Sequence, residues 1–271
     1  MFRLAVGQMN PRIGDTRGNM IKMVSLLESA EKQDVDLIVL PECANSGYVF
    51  ENREEVLSLS EEIPNGPFSK KLASWSKNGS MVIAGLVEKT PEGPYDSAVA
   101  FGNGKHLATY RKIHLFGKEK EWFLPGNKEP QLIEFNEYRF GVIICFDWAF
   151  PELSRILSLK GAQILAHPAN LLLSYSNRAM ITRSIENHIF TATSSRVGED
   201  RGLRFIGGSQ VTDPRGHILF RMDYEEEGVA WVDIEPSAAD SKIIRGNDIV
   251  KDANVLVDRR PDLYGRITEP E

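Results

Sequence analysis

Apolar runs typical of strands alternate along this chain with segments whose apolar residues recur at helical spacing. Residues 37–40 are continuously apolar, as in a strand that is buried on both faces. Between residues 20 and 27, apolar side chains three and four positions apart predict one face of a helix, with Asp15 as its N-cap. The pattern therefore predicts strands and helices in alternation.

The remaining elements follow the same two patterns. Further strands are predicted at 1–9, 81–87, 97–101, 106–111, 140–144, 162–166, 189–195 and 229–234, and further helices at 68–77, from 153 onward and at 177–187. Asn103-Gly104 is a strong hairpin signal, and residues 211–218 also indicate a hairpin. Because some strands are joined by hairpins and others by helices, we expect mixed sheets covered by helices.

Length and composition indicate one large domain. A chain of 271 residues with 42% hydrophobic and 26% charged residues buries a full core, and no linker or repeat divides it. We therefore expect residues 1–271 to form a single domain. The polar, irregular segment from about 240 is expected to pack as a tail on the surface or on a partner subunit.

Charge and cysteine usage exclude several classes of function. The net charge is −6 and the basic residues are scattered, which argues against nucleic acid and against an anionic membrane surface as partners. No apolar run approaches the length that spans a membrane, and residues 1–9 are too short for a signal peptide. Two distant cysteines and five dispersed histidines lack zinc-ligand spacing. A reducing cytoplasmic compartment is the expectation.

Three ionisable residues each follow the C-terminal end of a predicted strand. Glu42 follows the run at 37–40, Lys112 follows 106–111, and Cys145 follows 140–144. Ligands of α/β sheets bind at this end of the strands. Taken singly, the three residues have ordinary interpretations as an edge carboxylate, a surface lysine and a core thiol, but their shared placement indicates a catalytic site.

The three residue types together supply the groups that acyl transfer requires. A thiol nucleophile needs a base, and Glu42 can take the proton of Cys145, protonate a leaving amine and later activate water. Lys112 and the backbone N–H of Phe146 can stabilise the oxyanion. An alternative base is a histidine, either His114 or His167. Cys43 adjoins Glu42, but strand alternation is expected to turn it away into the core.

Three segments resemble the catalytic signatures of the nitrilase superfamily of carbon–nitrogen hydrolases. They are Leu40-Pro41-Glu42, the segment 110–116 that contains Lys112, and the segment 141–147 that contains Cys145. Gly47-Tyr48, Pro125-Gly126, the segment 167–170 and the segment 259–264 also fit the family pattern. The order and spacing of these segments make the resemblance extend over nearly the whole chain.

The resemblance implies a four-layer α-β-β-α sandwich of mixed sheets, which commonly forms homodimers. It implies that Glu42 is the base, Lys112 the oxyanion stabiliser and Cys145 the nucleophile. The family has a second glutamate between the lysine and the cysteine. Glu119 and Glu121 compete for this role, and Glu119 is favoured by its distance from the Pro-Gly turn.

Several residues near the nucleophile are candidates for binding a small-molecule substrate. Phe146 and Trp148 directly flank the Asp that follows Cys145, and Tyr48 and Asn170 are weaker candidates. Family members that act on ω-amides of dicarboxylic acids usually carry an Arg two residues after that Asp. This chain has Ala149 there, so the guanidinium that would hold a substrate carboxylate is missing at that position.

We therefore predict hydrolysis of a small amide or an N-carbamoyl compound through a thioester, with release of ammonia or amine. No metal or organic cofactor is expected, because Lys112 and a backbone N–H activate the electrophile. Hydrolysis of a small nitrile by the same residues is the closest alternative. A binding protein on a retired catalytic fold is an alternative of another class.

Overall fold

Two six-stranded sheets form the centre of the protein, whose computed structural model describes residues 1–269. The strands are β1 Phe2–Gln8, β2 Leu37–Val39, β3 Met81–Lys89, β4 Pro94–Gly102, β5 Lys105–Arg111, β6 Ile133–Phe135, β7 Tyr138–Val142, β8 Ile164–Ala169, β9 Phe190–Ser195, β10 Glu199–Asp200, β11 Leu203–Arg204, β12 Gln210–Thr212, β13 Ile218–Arg221, β14 Gly228–Ile234, β15 Ile243–Ile244 and β16 Ala253–Asn254. The helices are α1 Thr16–Glu31, α2 Arg53–Leu59, α3 Pro67–Trp75, α4 Glu119–Trp122, α5 Pro151–Leu159 and α6 Ser176–Asn187.

Both sheets are mixed, as the combination of hairpins and helical crossovers predicted. The first has the order β14-β1-β2-β3-β4-β5, and the second has the order β13-β12-β9-β8-β7-β6. Parallel pairing joins β1 to β2 and β2 to β3, and it also joins β7 to β8 and β8 to β9. The flanking strands pair antiparallel in both sheets.

The two sheets pack face to face between two layers of helices. Leu4 and Val39 of the first sheet share one apolar core with Phe140 and Ala166 of the second. Helices α1 and α3 pack on the outer face of the first sheet, and α5 and α6 pack on the outer face of the second. The four-layer α-β-β-α sandwich is therefore confirmed.

Short sequence signals also correctly predicted a helix cap, a buried strand and a hairpin turn. Asp15 caps α1 by accepting the backbone N–H of Gly18 at 2.9 Å. All three residues of β2 are buried, as expected for a strand that is covered on both faces. In the hairpin between β4 and β5, Asn103 and Gly104 have φ values of 51° and 74°, the left-handed conformations that an Asn-Gly turn provides.

No helix within residues 1–269 has both the length and the apolar character needed to cross a membrane. Helix α1, with 16 residues, reaches about 24 Å, which is short of a hydrocarbon core roughly 30 Å thick. Near the end of the chain, β15 and β16 form a small separate sheet, and Ile249 and Val250 nearby are 90% and 73% exposed. Whether this segment packs on a partner stays a prediction.

Candidate active site

Three strand ends bring the predicted catalytic residues to one edge of the fold. Strands β2 and β5 run in the same direction, because β3 is parallel to β2 and two antiparallel steps separate β3 from β5. Glu42 and Lys112 follow the C-terminal ends of β2 and β5, and Cys145 follows β7 of the facing sheet. The charges of Glu42 and Lys112 both act on the thiol of Cys145, so the structure brings the three side chains together.

The ammonium group of Lys112 lies at the centre of a buried cluster of carboxyl groups. Its Nζ donates hydrogen bonds to Glu42 Oε1 at 2.6 Å and to Glu119 Oε1 at 2.8 Å, and Asp96 Oδ2 lies 3.2 Å away. Burial alone disfavours the ammonium, but the three carboxyl groups raise the pKa of Lys112 well above its ordinary value. Lys112 is therefore a fixed cation, and one of its three N–H groups remains for a substrate oxygen.

Glu119, rather than Glu121, lies in the carboxyl cluster around Lys112. The side chain of Glu119 is fully buried, and its Oε1 accepts hydrogen bonds from Lys112 and from the hydroxyl of Tyr48. Its Oε2 accepts the backbone N–H of Phe116 at 2.8 Å. Glu121 lies two residues further along α4, on the exposed side of the helix.

Cys145 lies on a strained turn between β7 and α5. Its φ of 41° is in the left-handed region, which residues other than glycine rarely adopt. Asp147 closes the turn by accepting the backbone N–H of Ile144 at 2.9 Å. The Cys145 Sγ lies 3.8 Å from the carbonyl oxygen of Asn170. The backbone N–H of Phe146 is in the first turn of the 3₁₀ segment that Cys145 begins, where amides have no partner within the segment.

Burial makes the ionised forms of both the thiol and its proposed base less favourable. Burial raises the pKa of Cys145 well above its ordinary value, and the negative charge of Glu42 adds to the rise. Burial also raises the pKa of Glu42 well above its ordinary value, although the charge of Lys112 opposes this. Cys145 therefore rests as a thiol, and it needs a base to remove its proton before it can act as a nucleophile.

Neither candidate histidine is placed to act as the base. The Nδ1 of His114 is 2.8 Å from Asp147 Oδ1, and its ring stacks on Phe150 at 3.6 Å. His167 Nε2 donates to the backbone carbonyl of Cys145 at 2.9 Å, which leaves its Nδ1 to accept the hydroxyl of Thr193 at 3.1 Å. Because the Nε2 proton of His167 is engaged by a carbonyl, this ring supports the turn and does not accept the thiol proton.

We expect His167 to make the protein less stable in mild acid. Burial lowers its pKa from 6.5 to about 4, so the unfolded state binds the proton first as the pH falls. The neutral ring contributes about 3 kcal/mol to the free energy of unfolding above pH 6.5. This contribution is lost as the pH falls from 6.5 to about 4. Urea unfolding over this range should show a smaller loss for His167→Gln than for the wild type. Equal losses would contradict the prediction.

The four predicted substrate-binding residues line one small cavity together with Cys145. They are Tyr48, Phe146, Trp148 and Asn170. The cavity measures ≈ 20 Å³, roughly the room that one water molecule needs. The rest of its wall is mainly apolar, formed by Phe116, Leu171, Leu172, Leu173 and Ser176. Within the described part of the chain, no charged side chain lines this cavity.

Asn170 differs from the other residues of the cavity wall because its side chain is polar and unpaired. It is 2% exposed, and neither Nδ2 nor Oδ1 has a hydrogen-bond partner among residues 1–269. A buried amide without partners is costly, so such a group is suited to pair with a polar ligand. Asn170 can thus provide one donor and one acceptor beside the thiol.

The expectation that Cys43 packs in the core is confirmed, but its thiol does not point away from the carboxyl cluster as strand alternation predicted. Cys43 is fully buried, but β2 ends at Val39 and Cys43 has a φ of 50°, so strand alternation does not apply. Its Sγ lies 3.9 Å from Asp96 Oδ1, which places the thiol beside the carboxyl cluster. The turn after β2, rather than the strand, determines its direction.

Asp96 is the residue of this site that the sequence reasoning missed. It lies in β4, in which every residue is buried, and its own side chain is fully buried beside Lys112. The predicted strand begins at residue 97, so Asp96 falls just outside it, whereas the observed strand begins at Pro94. The usable signal was an acidic residue within a buried run, because such a residue needs a charged or protonated partner.

A four-layer sandwich with a buried thiol, a lysine and carboxyl groups at one edge defines an enzyme of the carbon–nitrogen hydrolase class. The family model described as carbon-nitrogen hydrolase matches residues 3–243. The chain therefore belongs to this family of hydrolases, whose relatives include nitrilases and amidases.

Individual relatives match this chain over nearly its full length. A protein named nitrilase from Pyrococcus abyssi is 41% identical over 98% of this chain and 100% of its own length. The solved amidase from Nesterenkonia sp. is 26% identical with a TM-score of 0.80, covering 98% of this chain and 96% of that one. A solved variant of that amidase is 25% identical to this chain with a TM-score of 0.79, covering 99% of this chain and 97% of that one. In this variant, the acetamide moiety of fluoroacetamide is covalently added at the active-site cysteine.

Proposed function

We propose that this enzyme hydrolyses small, uncharged amides or N-carbamoyl compounds through a thioester on Cys145. The observation that carries the proposal is the narrow cavity beside Cys145, whose wall is apolar except for a few polar groups and carries no charge among the described residues. A charged acyl group would lose its hydration there without gaining an ion pair. The absence of an arginine at Ala149 agrees with an uncharged substrate.

The reaction begins when Cys145 Sγ attacks the carbonyl carbon and its proton passes to Glu42. The oxyanion accepts hydrogen bonds from the remaining N–H of Lys112 and from the backbone N–H of Phe146. Collapse of this intermediate breaks the C–N bond, and Glu42 returns the proton to the departing amine. Water then attacks the thioester as Glu42 takes one of its protons, and the proton returns to Sγ when the acid leaves. Glu119 holds Lys112 in position throughout.

Nitrile hydrolysis is a second candidate because the 41% identical relative is named nitrilase. Addition of the thiol to a nitrile gives a thioimidate, which water converts into the same thioester with loss of ammonia. Asn170 favours an amide, since its unpaired donor and acceptor match an amide substrate, whereas a nitrile has no N–H to donate.

A matched panel tests the substrate class. The kcat/KM for ammonia release should be highest for propionamide. It should be at least about tenfold lower for succinamate, and it should also be lower for propionitrile than for propionamide. Replacing the amide with a side chain of similar size, Asn170→Leu, should raise KM for propionamide about tenfold and leave propionitrile within about twofold. Preference for succinamate, or a variant that loses both substrates equally, would contradict this assignment.

The control for that variant is another buried asparagine that lies outside the cavity wall. Asn177 Nδ2 donates to the carbonyl of Gly208 at 3.1 Å, and its side chain is 4% exposed. Asn177→Leu should lower stability through the lost hydrogen bond but preserve the ratio of amide to nitrile turnover. An uncharged carbamoyl compound such as N-methylurea in the same panel separates carbamoylase from amidase activity.

The single-domain chain is further proposed to work as a cytoplasmic homodimer without a metal or organic cofactor. Cys43 and Cys145 are free thiols, and a thiol nucleophile suits a reducing compartment. Exposed apolar side chains near the end of the chain support contact with a second copy, in particular Ile249, Val250 and Val257.

A further inference from the structure

Three carboxyl groups and one ammonium group share the same buried cluster. One oxygen each of Glu42, Asp96 and Glu119 lies within 4.8 Å of the others, and all three carboxyls and Lys112 are fully buried. If every carboxyl were ionised, three negative charges would face one positive charge. Two uncompensated charges away from water are very costly. The cluster therefore holds at least one proton beyond those on Lys112.

Glu119 is not the group that holds this proton. Both of its oxygens accept hydrogen bonds, from Lys112 Nζ, from the hydroxyl of Tyr48 and from the backbone N–H of Phe116. A carboxyl group that accepts three hydrogen bonds is stabilised in its charged, acceptor-only form. Glu119 is thus the carboxylate that balances Lys112.

Glu42 and Asp96, by contrast, each have an oxygen without a hydrogen-bond partner in the described structure. The two atoms are Glu42 Oε2 and Asp96 Oδ2. Asp96 Oδ2 is 3.2 Å from Lys112 Nζ, but no hydrogen bond joins them. The side chains of Glu42 and Asp96 are within hydrogen-bond reach of each other. A proton on either carboxyl therefore turns it into a donor toward the other, so that one proton gives both residues a partner.

We propose that Asp96 is a positioning residue that shares one proton with Glu42 and thereby orients the base and sets the charge of the cluster. The role of Glu42 as base rests on the proposed function, whereas the shared proton does not. At rest, Lys112 and Glu119 cancel, and the Glu42–Asp96 pair carries one negative charge. When Glu42 takes the proton of Cys145, the pair becomes neutral as the substrate oxygen becomes negative. The total buried charge is then unchanged.

The surroundings of the pair agree with this assignment. Burial raises the pKa of Glu42 well above its ordinary value, and the negative charge of Asp96 adds to the rise. Burial raises the pKa of Glu119 less, because the charge of Lys112 and the hydrogen bonds from Lys112 and Tyr48 oppose it. The titratable or charged groups around the pair are Lys112, Glu119, Cys43, Tyr48, Cys145 and Arg196. The guanidinium of Arg196 is paired with Asp200 at 3.1 Å. Two coupled carboxyls lose their protons in two steps that belong to the pair.

Infrared spectroscopy tests the shared proton without any turnover. Wild-type enzyme at neutral pH should show the C=O band of a protonated carboxyl that shifts in D₂O. The band should disappear in Asp96→Asn and in Glu42→Gln, because each variant removes one partner of the pair.

Ser97→Ala is the matched control, since Ser97 is a buried neighbour in β4 whose Oγ donates to Glu88 at 2.6 Å instead. It should keep the band. A wild-type spectrum without the band would overturn the proposal even if Asp96→Asn does not fold.

The pH profile of kcat/KM distinguishes positioning from a purely structural role. In the wild type, loss of the shared proton adds a second negative charge to the cluster and lowers activity on the alkaline side. Asp96→Asn has no shared proton, so it should lower kcat/KM about tenfold at neutral pH and lose that alkaline limb. An unchanged limb in Asp96→Asn would overturn the assignment. Absence of amide turnover by the wild type would instead contradict the proposed function, and the infrared result would stand independently.

Discussion

Cys145→Ala is expected to abolish ammonia release while leaving the fold intact. Removing the sulfur removes the atom that forms the thioester, so kcat should fall by a factor on the order of 10⁴ or more. The cost to stability should be about 1 kcal/mol or less, because one atom is lost at the wall of an existing cavity. Ammonia assays and urea unfolding of the same preparation measure the two effects separately.

The other free cysteine is the matched control for this experiment. Cys43→Ala removes a fully buried thiol outside the cavity wall, and it should retain turnover within about tenfold. Mass spectrometry of acid-quenched wild-type enzyme should locate the acyl adduct on the peptide that contains Cys145. Full activity in Cys145→Ala would contradict the mechanism. Absence of any adduct and of ammonia release would favour a binding protein on this fold.

Lys112→Met is expected to abolish turnover and to destabilise the protein by about 3–5 kcal/mol, the cost of breaking a buried ion pair from one side. The methionine has a similar length but leaves Glu42, Asp96 and Glu119 without their cation. The substrate oxyanion also loses a donor. Neither effect can be offset by water, because the cluster is fully buried.

The destabilisation of Lys112→Met should increase with pH. Without the cation, which lowers the pKa values of Glu42 and Glu119, the folded pKa values of these buried carboxyls rise further above the unfolded values, so the folded state binds more protons. The stability of such groups is present below the unfolded pKa and is lost as the pH rises through the folded pKa. Urea unfolding at about pH 5 and pH 8 should therefore show a larger deficit at the higher pH.

Lys120→Met provides the control, because Lys120 is an exposed lysine next to Glu119 in α4. Its free energy of unfolding should stay within about 0.5 kcal/mol of the wild type at both pH values, as expected for a surface substitution. A Lys112→Met protein as stable as the wild type, or less destabilised at pH 8 than at pH 5, would contradict the importance of the buried cation.

Local patterns were sufficient for much of the fold. The hairpin at Asn103-Gly104 and the capped helix α1 were correct because turn chemistry and capping depend on neighbouring residues. Helix α2 and strand β6 were not predicted. The first buries only Val56, and the second has three residues, so neither repeats an apolar position often enough to produce a period.

The candidate site was predictable only in part. The ends of β2, β5 and β7 located Glu42, Lys112 and Cys145, and the family spacing favoured Glu119. Asp96 remained hidden because its contact with Lys112 depends on the pairing of β4 with β5. The direction of Cys43 was wrong because the turn after β2 changes the backbone conformation at that residue.

The sequence by itself determined which elements form, where strands end and which reactive side chains stand at those ends. These properties depend on residues that are close along the chain. The tertiary structure decided the rest: the neutral state of His167, the burial of Glu119 beside Lys112, the unpaired amide of Asn170 and the carboxyl cluster around Lys112. Each depends on distances and burial between segments far apart in sequence, and those are set by strand pairing and by the packing of one sheet on the other.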